Sequence, residues 1–204
     1  MIEYPLEILV DMGIKDIMVV SSREYAGGFL NYLGSGIDRE INFTYRVQEK
    51  AGGIAQALGI TKDWIDNNSM VVILGDNYFE YAVDISMFET RKHLAGLVLK
   101  QVSNPQRFGV YSYEPPKIEE KPKNPKSNLA VTGLYIYPSD VFGVIKTLKP
   151  SERGELEITD VNQYYARLGA LDYEVLSGFW SDAGTPESLA VATQWAISKS
   201  KIDD

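Results

Sequence analysis

Apolar and polar residues follow two different periods along the first hundred residues of the chain. Stretches with a period near 3.6 alternate with short apolar runs or runs of period two, which predicts helices and strands in turn. We predict helices over 2–12, 24–33, 53–64 and 84–93, and strands over 16–20, 41–47, 71–74 and 95–102. This order is typical of a parallel sheet whose strands are joined by crossover helices.

The pattern changes after residue 102. Here we predict a β-hairpin (108–113 with 117–120), strands over 131–137 and 173–176, helices over 139–148, 157–168 and 186–198, and a solvated tail over 199–204. There is no internal repeat or low-complexity linker, so we predict a single domain over 1–204. The expected fold is α/β, a doubly wound, mainly parallel, Rossmann-like sheet with a small β-hairpin insertion.

An aspartate follows a strongly apolar predicted strand. Residues 70–74 lack alternation, which is typical of a strand covered on both faces, and Gly75, Asp76 and Asn77 come next. Ligands of open α/β sheets bind beyond the carboxyl ends of the strands, so Asp76 is placed as a catalytic or metal-binding group. Gly75 would let a ligand approach the backbone closely. The same residues also suit a plain turn or a helix N-cap.

The composition limits the partners and the kind of metal site that we expect for the chain. The net charge of -8 argues against a general affinity for nucleic acid or anionic membranes. There is no cysteine, and the only histidine, His93, is expected to be solvated on a helix, so any metal should have oxygen ligands, which favours Mg²⁺. No apolar stretch approaches the roughly 20 residues of a membrane span, and no signal-peptide pattern is present, so we expect a cytoplasmic protein.

Two polar segments suit recognition of a base and a sugar phosphate. Gln48 precedes a glycine pair that ends at Gly53, where an amide side chain and backbone N–H groups could read a base edge. A glycine pair before a helix is also a common turn. Glu120 and Lys121 place a carboxylate beside an ammonium, which suits sugar hydroxyls and phosphate but also describes a solvated charge run.

Two further segments lie near predicted helix starts. Arg153 can bind a phosphate through two N–H groups, although the acidic residues around it also complement a helix dipole. Asp182 lies in a predicted loop before the last helix. One or two carboxylates together with substrate phosphates usually hold Mg²⁺. The sequence pattern leaves open whether Asp182 meets Asp76 or only shapes the turn.

Six short blocks, taken in order, resemble the sugar-1-phosphate nucleotidylyltransferases. They are Leu-Gly-Asp-Asn at 74–77, Arg-Phe-Gly-Val at 107–110, Glu-Glu-Lys-Pro at 119–122, Val-Thr-Gly-Leu-Tyr at 131–135, Ser-Glu-Arg-Gly-Glu-Leu-Glu-Ile-Thr-Asp at 151–160 and Trp-Ser-Asp-Ala-Gly-Thr at 180–185. The resemblance covers essentially the whole chain, and the block at 151–160 is typical of the thymidylyl branch. The resemblance to the family implies three parts of the chain. They are a half for the nucleotide and metal over about 1–102, a half for the sugar phosphate over 103–185, and a final helix and tail over 186–204.

The resemblance implies transfer of a nucleotidyl group from dTTP to glucose 1-phosphate, giving dTDP-glucose and pyrophosphate by direct in-line attack of the sugar phosphate. It implies a homo-oligomer without a nucleic-acid or membrane partner. It also implies residue roles: Asp76 and Asp182 for Mg²⁺, Gln48 and Gly53 for the base, Gly109, Glu120 and Val131 for the sugar, Lys121 and Arg153 for its phosphate, and Trp180 for the wall near the metal.

One part of the family pattern does not occur in the chain. Members begin with a strand and a Gly-Gly-x-Gly-Thr-Arg-Leu loop for the triphosphate, and Met1-Ile2 resembles a segment that follows this loop. The strand lies inside the family sheet, so its absence should leave two neighbouring strands with unpaired edges. We therefore predict an N-terminally truncated domain with weak or no activity.

Two alternatives remain from the sequence. One is a non-catalytic protein that binds sugar nucleotides in a regulatory role. The other is a uridylyltransferase that uses UTP, because thymine and uracil differ only by a methyl group, which an apolar pocket distinguishes by only about 1–3 kcal/mol.

Overall fold

The computed structural model of the chain describes residues 1–86 and 93–200. Strands and helices alternate over most of its length, as the apolar pattern predicts. In chain order the elements are α1 (Glu3–Asp11), β1 (Asp16–Ser22), α2 (Arg23–Leu33), a 3-10 turn (Ile37–Arg39), β2 (Asn42–Gln48), α3 (Ile54–Gly59), α4 (Lys62–Ile65), β3 (Met70–Ile73), β4 (Asn77–Phe79), β5 (Ala95–Gln101), a second 3-10 turn (Pro105–Arg107), β6 (Gly109–Ser112), β7 (Lys117–Glu120), β8 (Leu129–Tyr137), α5 (Val141–Ile145), α6 (Ile158–Arg167), β9 (Leu171–Val175), β10 (Trp180–Asp182) and α7 (Pro186–Ser200).

Strand β8 lies at the centre of the main sheet, and all nine of its residues are buried. It pairs antiparallel with β5 along one edge, and with β6 and then β3 along the other. Strand β7 extends the sheet beyond β6, and β9 pairs parallel with β5. Strands β3, β5 and β9 therefore run in one direction, with β8 reversed between β3 and β5. The α/β fold with a central sheet is confirmed. The sheet is less parallel than predicted, because β8 runs opposite to its neighbours β3, β5 and β6, a reversal that the apolar pattern did not mark.

The two faces of the main sheet are covered by different layers. Leu97 and Leu99 of β5 pack with residues of α3, α5 and α6 in the larger apolar cluster. Val98, which points to the opposite face, packs with Ile8 of α1 and with Trp180. This alternation follows from the period of two in a strand, and it explains why β5 is apolar without interruption over 95–99.

Strands β1 and β2 form a separate parallel pair. A cavity of about 1040 Å³ lies between β1 and β3, lined by residues 16–20 on one side and 69–75 on the other. Within residues 1–86 and 93–200, β1 pairs only with β2 and β3 only with β8, so each strand has one edge without a strand partner. Two such edges are what the family resemblance predicts for a sheet without its first strand; the truncation itself stays a prediction.

Four predicted elements differ from the structure. The helix predicted over 139–148 is only five residues long, Val141–Ile145. The helix predicted over 53–64 is broken in two, because the Thr61 hydroxyl donates to the Leu58 carbonyl (2.8 Å) and so ends α3. Most of the helix predicted over 84–93 lies outside the described residues, and His93 is exposed, but in a turn. The tail was expected from 199, yet Lys199 is still helical and its Nζ lies 3.1 Å from a Glu80 oxygen.

We expect Glu3→Gln to lower stability by about 0.5–1 kcal/mol at pH 7, because it removes a partly exposed ion pair. Arg39 donates to both carboxylate oxygens of Glu3, with Nη2 2.8 Å from Oε1. This pairing lowers the pKa of Glu3 from 4.5 to about 2. The stabilising contribution is therefore complete above pH 4.5 and is lost as the pH falls towards 2. Urea unfolding of both proteins at pH 7 and pH 3 checks this, and a difference independent of pH would contradict it.

Candidate nucleotide and sugar-phosphate site

A short antiparallel pair of strands carries the two predicted metal ligands. Strand β10 pairs with β4 in the register Asp182 opposite Asn77 and Trp180 opposite Phe79. Asp76 immediately precedes β4, and its carbonyl accepts a hydrogen bond from the backbone N–H of Ala183 (2.6 Å). Asp182 thus ends a strand and does not lie in the loop that we predicted. Strands of three residues are too short for a period of two to be visible in the sequence.

The carboxylates of Asp76 and Asp182 converge. A β-carbon built at Gly184 would lie 3.5 Å from Oδ2 of each, so the glycine keeps the space in front of both free of a side chain. Burial raises the pKa of the Asp182 carboxyl; the charge of Arg107 opposes this shift and the charge of Asp76 adds to it.

Two convergent carboxylates suit a hard divalent cation whose remaining ligands are water and substrate phosphates. In the part of the chain that the structure describes, no group of three or more His, Cys, Asp or Glu side chains is arranged to hold a metal ion. A cation at this pair would therefore depend on the substrate for part of its coordination.

Asn77 connects the two strands to β8. Its Oδ1 accepts hydrogen bonds from Trp180 Nε1 (2.8 Å) and from the backbone N–H of Gly133 (2.8 Å). Its Nδ2 donates to Oδ1 of Asp76 (2.8 Å). The buried amide therefore fixes the orientation of Asp76 and the position of Trp180 together. We did not assign a role to Asn77 from the sequence, although its place next to Asp76 was visible.

A second cluster brings the predicted sugar residues together. A β-carbon at Gly109 would lie 3.4 Å from Oγ1 of Thr159, 3.6 Å from Oε2 of Glu120 and 3.7 Å from the β-carbon of Val131. Glycine at 109 thus leaves an open floor between these side chains. The Thr159 hydroxyl donates to Glu120 Oε2 (2.6 Å), which orients the carboxylate. Sequence reasoning assigned no role to Thr159, which sits within the block at 151–160.

The two predicted phosphate ligands flank Glu120. Lys121 Nζ lies 3.9 Å and Arg153 Nη2 3.8 Å from the same oxygen, Oε1 of Glu120. Arg153 is oriented by Glu157, to which its Nε and Nη2 donate over 2.8–3.2 Å. This pairing raises the pKa of Arg153. Two cations beside a carboxylate are groups that could bind a phosphate and the hydroxyl groups next to it.

The predicted base residues lie at the cavity between β1 and β3. Gln48, Gly53 and Gly75 all line it, and Gln48 Nε2 donates to the Gly53 carbonyl (3.1 Å). Gly53 has a φ of +93°, and a β-carbon there would lie 2.4 Å from the carbonyl oxygen of Leu156. Only glycine fits this contact, which joins the loop of Gly53 to the segment that carries Arg153.

A family model described as nucleotidyl transferase matches residues 1–198 of the chain. The chain belongs to the nucleotidyl transferase family. A glucose-1-phosphate thymidylyltransferase of Neisseria meningitidis is 40% identical over 213 residues, which cover 100% of this chain and 74% of that protein. The enzyme of the same name from Mycolicibacterium smegmatis is 39% identical, covering 96% of this chain and 70% of its own length.

Solved structures agree with this family. A Bacillus anthracis protein assigned as a glucose-1-phosphate thymidylyltransferase, in complex with a sucrose, has a TM-score of 0.88 at 49% identity and covers 96% of this chain and 81% of its own. A UDP-glucose pyrophosphorylase complexed with UDP-glucose is 24% identical with a TM-score of 0.81, covering 97% and 86%, and shows the same fold. None of the described helices is long and apolar enough to cross a membrane.

Proposed function

We propose that the chain binds a thymidine nucleotide and glucose 1-phosphate, and that its chemistry is thymidylyl transfer from dTTP to the sugar phosphate, with dTDP-glucose and pyrophosphate as products. The observation that carries this proposal is a pair of convergent carboxylates, of which Asp76 is held by Asn77, together with a neighbouring cluster of one carboxylate and two cations. The likeness to thymidylyltransferases at about 40% identity supports the nucleotide and sugar assignments.

The roles are those that the family resemblance implies, and the charges and positions of the side chains support them. Lys121 and Arg153 would neutralise the phosphate of the sugar, so that its oxygen can approach the α-phosphorus in line while pyrophosphate leaves from the opposite side. Glu120, with Oε2 held by Thr159, would accept hydrogen bonds from sugar hydroxyls and fix the orientation of the acceptor. Gln48 and the backbone at Gly53 would meet the base at the cavity. Oligomeric state and cellular location stay predictions.

Asp76 and Asp182 are the residues that would hold Mg²⁺. When bound, the ion supplies positive charge that polarises the α-phosphate and screens the triphosphate. Two features of the chain would favour binding of the ion. Asn77 fixes the orientation of Asp76, and glycine at 184 leaves space in front of both carboxylates.

A second candidate is binding without turnover. The observation that favours it is the cavity between β1 and β3, because the resemblance places there the strand that leads into the triphosphate loop. On this proposal the chain keeps the sugar-nucleotide pocket but positions the β- and γ-phosphates poorly, which leaves the in-line geometry incomplete.

Titration calorimetry with dTDP-glucose and Mg²⁺ tests the pocket. We expect saturable binding that weakens at least tenfold in Glu120→Gln, because hydrogen bonds to a charged group are lost. The matched control is Glu119→Gln, whose native carboxylate pairs with Lys117 and does not contact Thr159 or Arg153. Binding that is absent, or equally strong in both variants, would refute the proposed pocket.

Release of pyrophosphate from dTTP and glucose 1-phosphate separates the two candidates. We expect weak turnover. No release above background would favour binding alone, and near-normal turnover would refute the prediction that the triphosphate loop is required. The same assay and titration with UTP and UDP-glucose test base choice. We expect dTDP-glucose to be favoured by about 1–3 kcal/mol, the value of one methyl group.

A further inference from the structure

Arg107 contacts the carboxylate of Asp182. Its Nη2 lies 3.0 Å from Oδ2 and 3.3 Å from Oδ1, so a single nitrogen donates to both oxygens. Asp182 is one of the two side chains that suit a divalent cation. The family resemblance implies no role for Arg107, although the residue lies in one of the six blocks. Arg107 is also not part of the cluster around Glu120.

The surroundings of Arg107 leave room for its side chain to move away from Asp182. It ends the 3-10 turn Pro105–Arg107, a single turn of backbone, and 40% of its side chain is exposed to solvent. Its guanidinium also lies over the ring of Phe108, 5.1 Å from the centroid. That ring packs edge-to-face against Trp180, with 5.3 Å between centroids. The arginine can thus leave Asp182 and keep a favourable contact with the aromatic face.

The charges around Asp182 explain why a cation is needed there. Asp182 is partly buried and lies beside Asp76, so two like charges converge on a space that Gly184 leaves open. A guanidinium that uses both oxygens of Asp182 neutralises one of the two carboxylates. A divalent cation that binds Asp182 would need the same oxygen lone pairs, and it would be repelled by a positive charge at this distance.

We propose that Arg107 is an exchangeable counter-ion of Asp182. A divalent cation displaces it from the carboxylate when it binds, and the guanidinium keeps its contact with the ring of Phe108. This inference rests on the proposed metal pair of Asp76 and Asp182. It means that the free cation binds weakly, since it must first release the arginine. It also means that a cation arriving with a nucleoside triphosphate binds better, because the phosphates attract the released guanidinium.

Mn²⁺ binding, measured by the loss of the free Mn²⁺ signal in electron paramagnetic resonance, is the first test. We expect Arg107→Gln to bind Mn²⁺ about tenfold more tightly than the unmodified chain, because it removes the competing charge. Arg107→Lys, which keeps a positive charge, should stay within about threefold of the unmodified chain. The control is Arg39→Gln, which removes an arginine that pairs with Glu3 away from this site and should leave Mn²⁺ affinity unchanged.

Guanidinium NMR of the unmodified chain tests displacement itself. With ¹⁵N-labelled arginine, the Nη resonances of Arg107 are identified by their absence in Arg107→Lys. A guanidinium held on a carboxylate rotates slowly and gives separate Nη signals, which we expect to merge at saturating Mg²⁺. Separate signals that persist at saturating Mg²⁺, or an Arg107→Gln variant that binds Mn²⁺ no more tightly, would overturn the exchange while leaving the metal pair intact. Absence of Mn²⁺ binding in every variant would overturn the metal pair, and the exchange with it.

Discussion

Gly133→Ala should lower the free energy of unfolding by roughly 2–4 kcal/mol. A β-carbon at this position would lie 2.5, 2.6 and 2.7 Å from the three terminal atoms of the Asn77 side chain. That side chain cannot move aside at low cost, because it holds Asp76, Trp180 and the Gly133 backbone itself through hydrogen bonds. The new methyl group must therefore either push β8 away from β4 or break the Asn77 hydrogen bonds.

Urea unfolding measures this effect. Gly143→Ala is the matched control, because a β-carbon there meets no atom within 4 Å, and alanine in a helix should leave stability unchanged or raise it by up to about 1 kcal/mol. The double variant with Asn77→Ala should lose less than the sum of the two single changes, because both act on the same contact. A loss below about 0.5 kcal/mol for Gly133→Ala would show that Asn77 is not fixed as described.

Asp182→Asn should weaken Mn²⁺ binding about 10–100-fold, because it replaces one of two candidate carboxylate ligands by a neutral amide and removes half of the negative charge. The fold should tolerate this change. Asparagine has the same shape, and burial together with Asp76 already raises the pKa of the Asp182 carboxyl. The charged form of Asp182 is therefore held at a cost in the folded chain, and its removal should not lower stability at neutral pH.

Paired measurements of affinity and stability separate a ligand from a structural residue. The free Mn²⁺ signal gives the affinity, and urea unfolding at pH 7 gives the free energy of unfolding. Asp63→Asn, a change on an exposed residue of α4, serves as the charge-matched control and should alter neither quantity. Unchanged Mn²⁺ affinity in Asp182→Asn would refute the assignment of this carboxylate as a ligand.

Local pattern was sufficient for the long elements. Helices α1, α2 and α6 and strands β2 and β5 lie within about two residues of their predicted bounds, because burial on one face imposes a clear period and burial on both faces of a strand gives an unbroken apolar run. Strands β4 and β10 could not be predicted, since three residues carry no period. The reversed direction of β8 depends on pairing with strands that are distant along the chain, which local pattern does not encode.

Some residues of the candidate site could be predicted from the sequence and others could not. The resemblance named Glu120, Lys121 and Arg153, and the structure brings them together; their roles stay predictions. Asn77 and Thr159 were missed because their importance lies in partners that are far away in sequence. Asn77 meets Trp180, 103 residues later, and Thr159 meets Glu120, 39 residues earlier. Such contacts are visible only once the chain is folded.

The cavity between β1 and β3 also determines which part of the protein can unfold locally. In the described ranges, strands β1 and β2 share no interstrand hydrogen bond with the main sheet. Side-chain packing joins them to it, with Ile17 and Leu6 in a small cluster that reaches Val71. The pair can therefore detach together with α2 as one cooperative unit, at a free energy below that of global unfolding. Partial opening along this cavity would expose Gln48 and Gly53, while Asp76 and Asp182 beside β4 and β10 keep their positions.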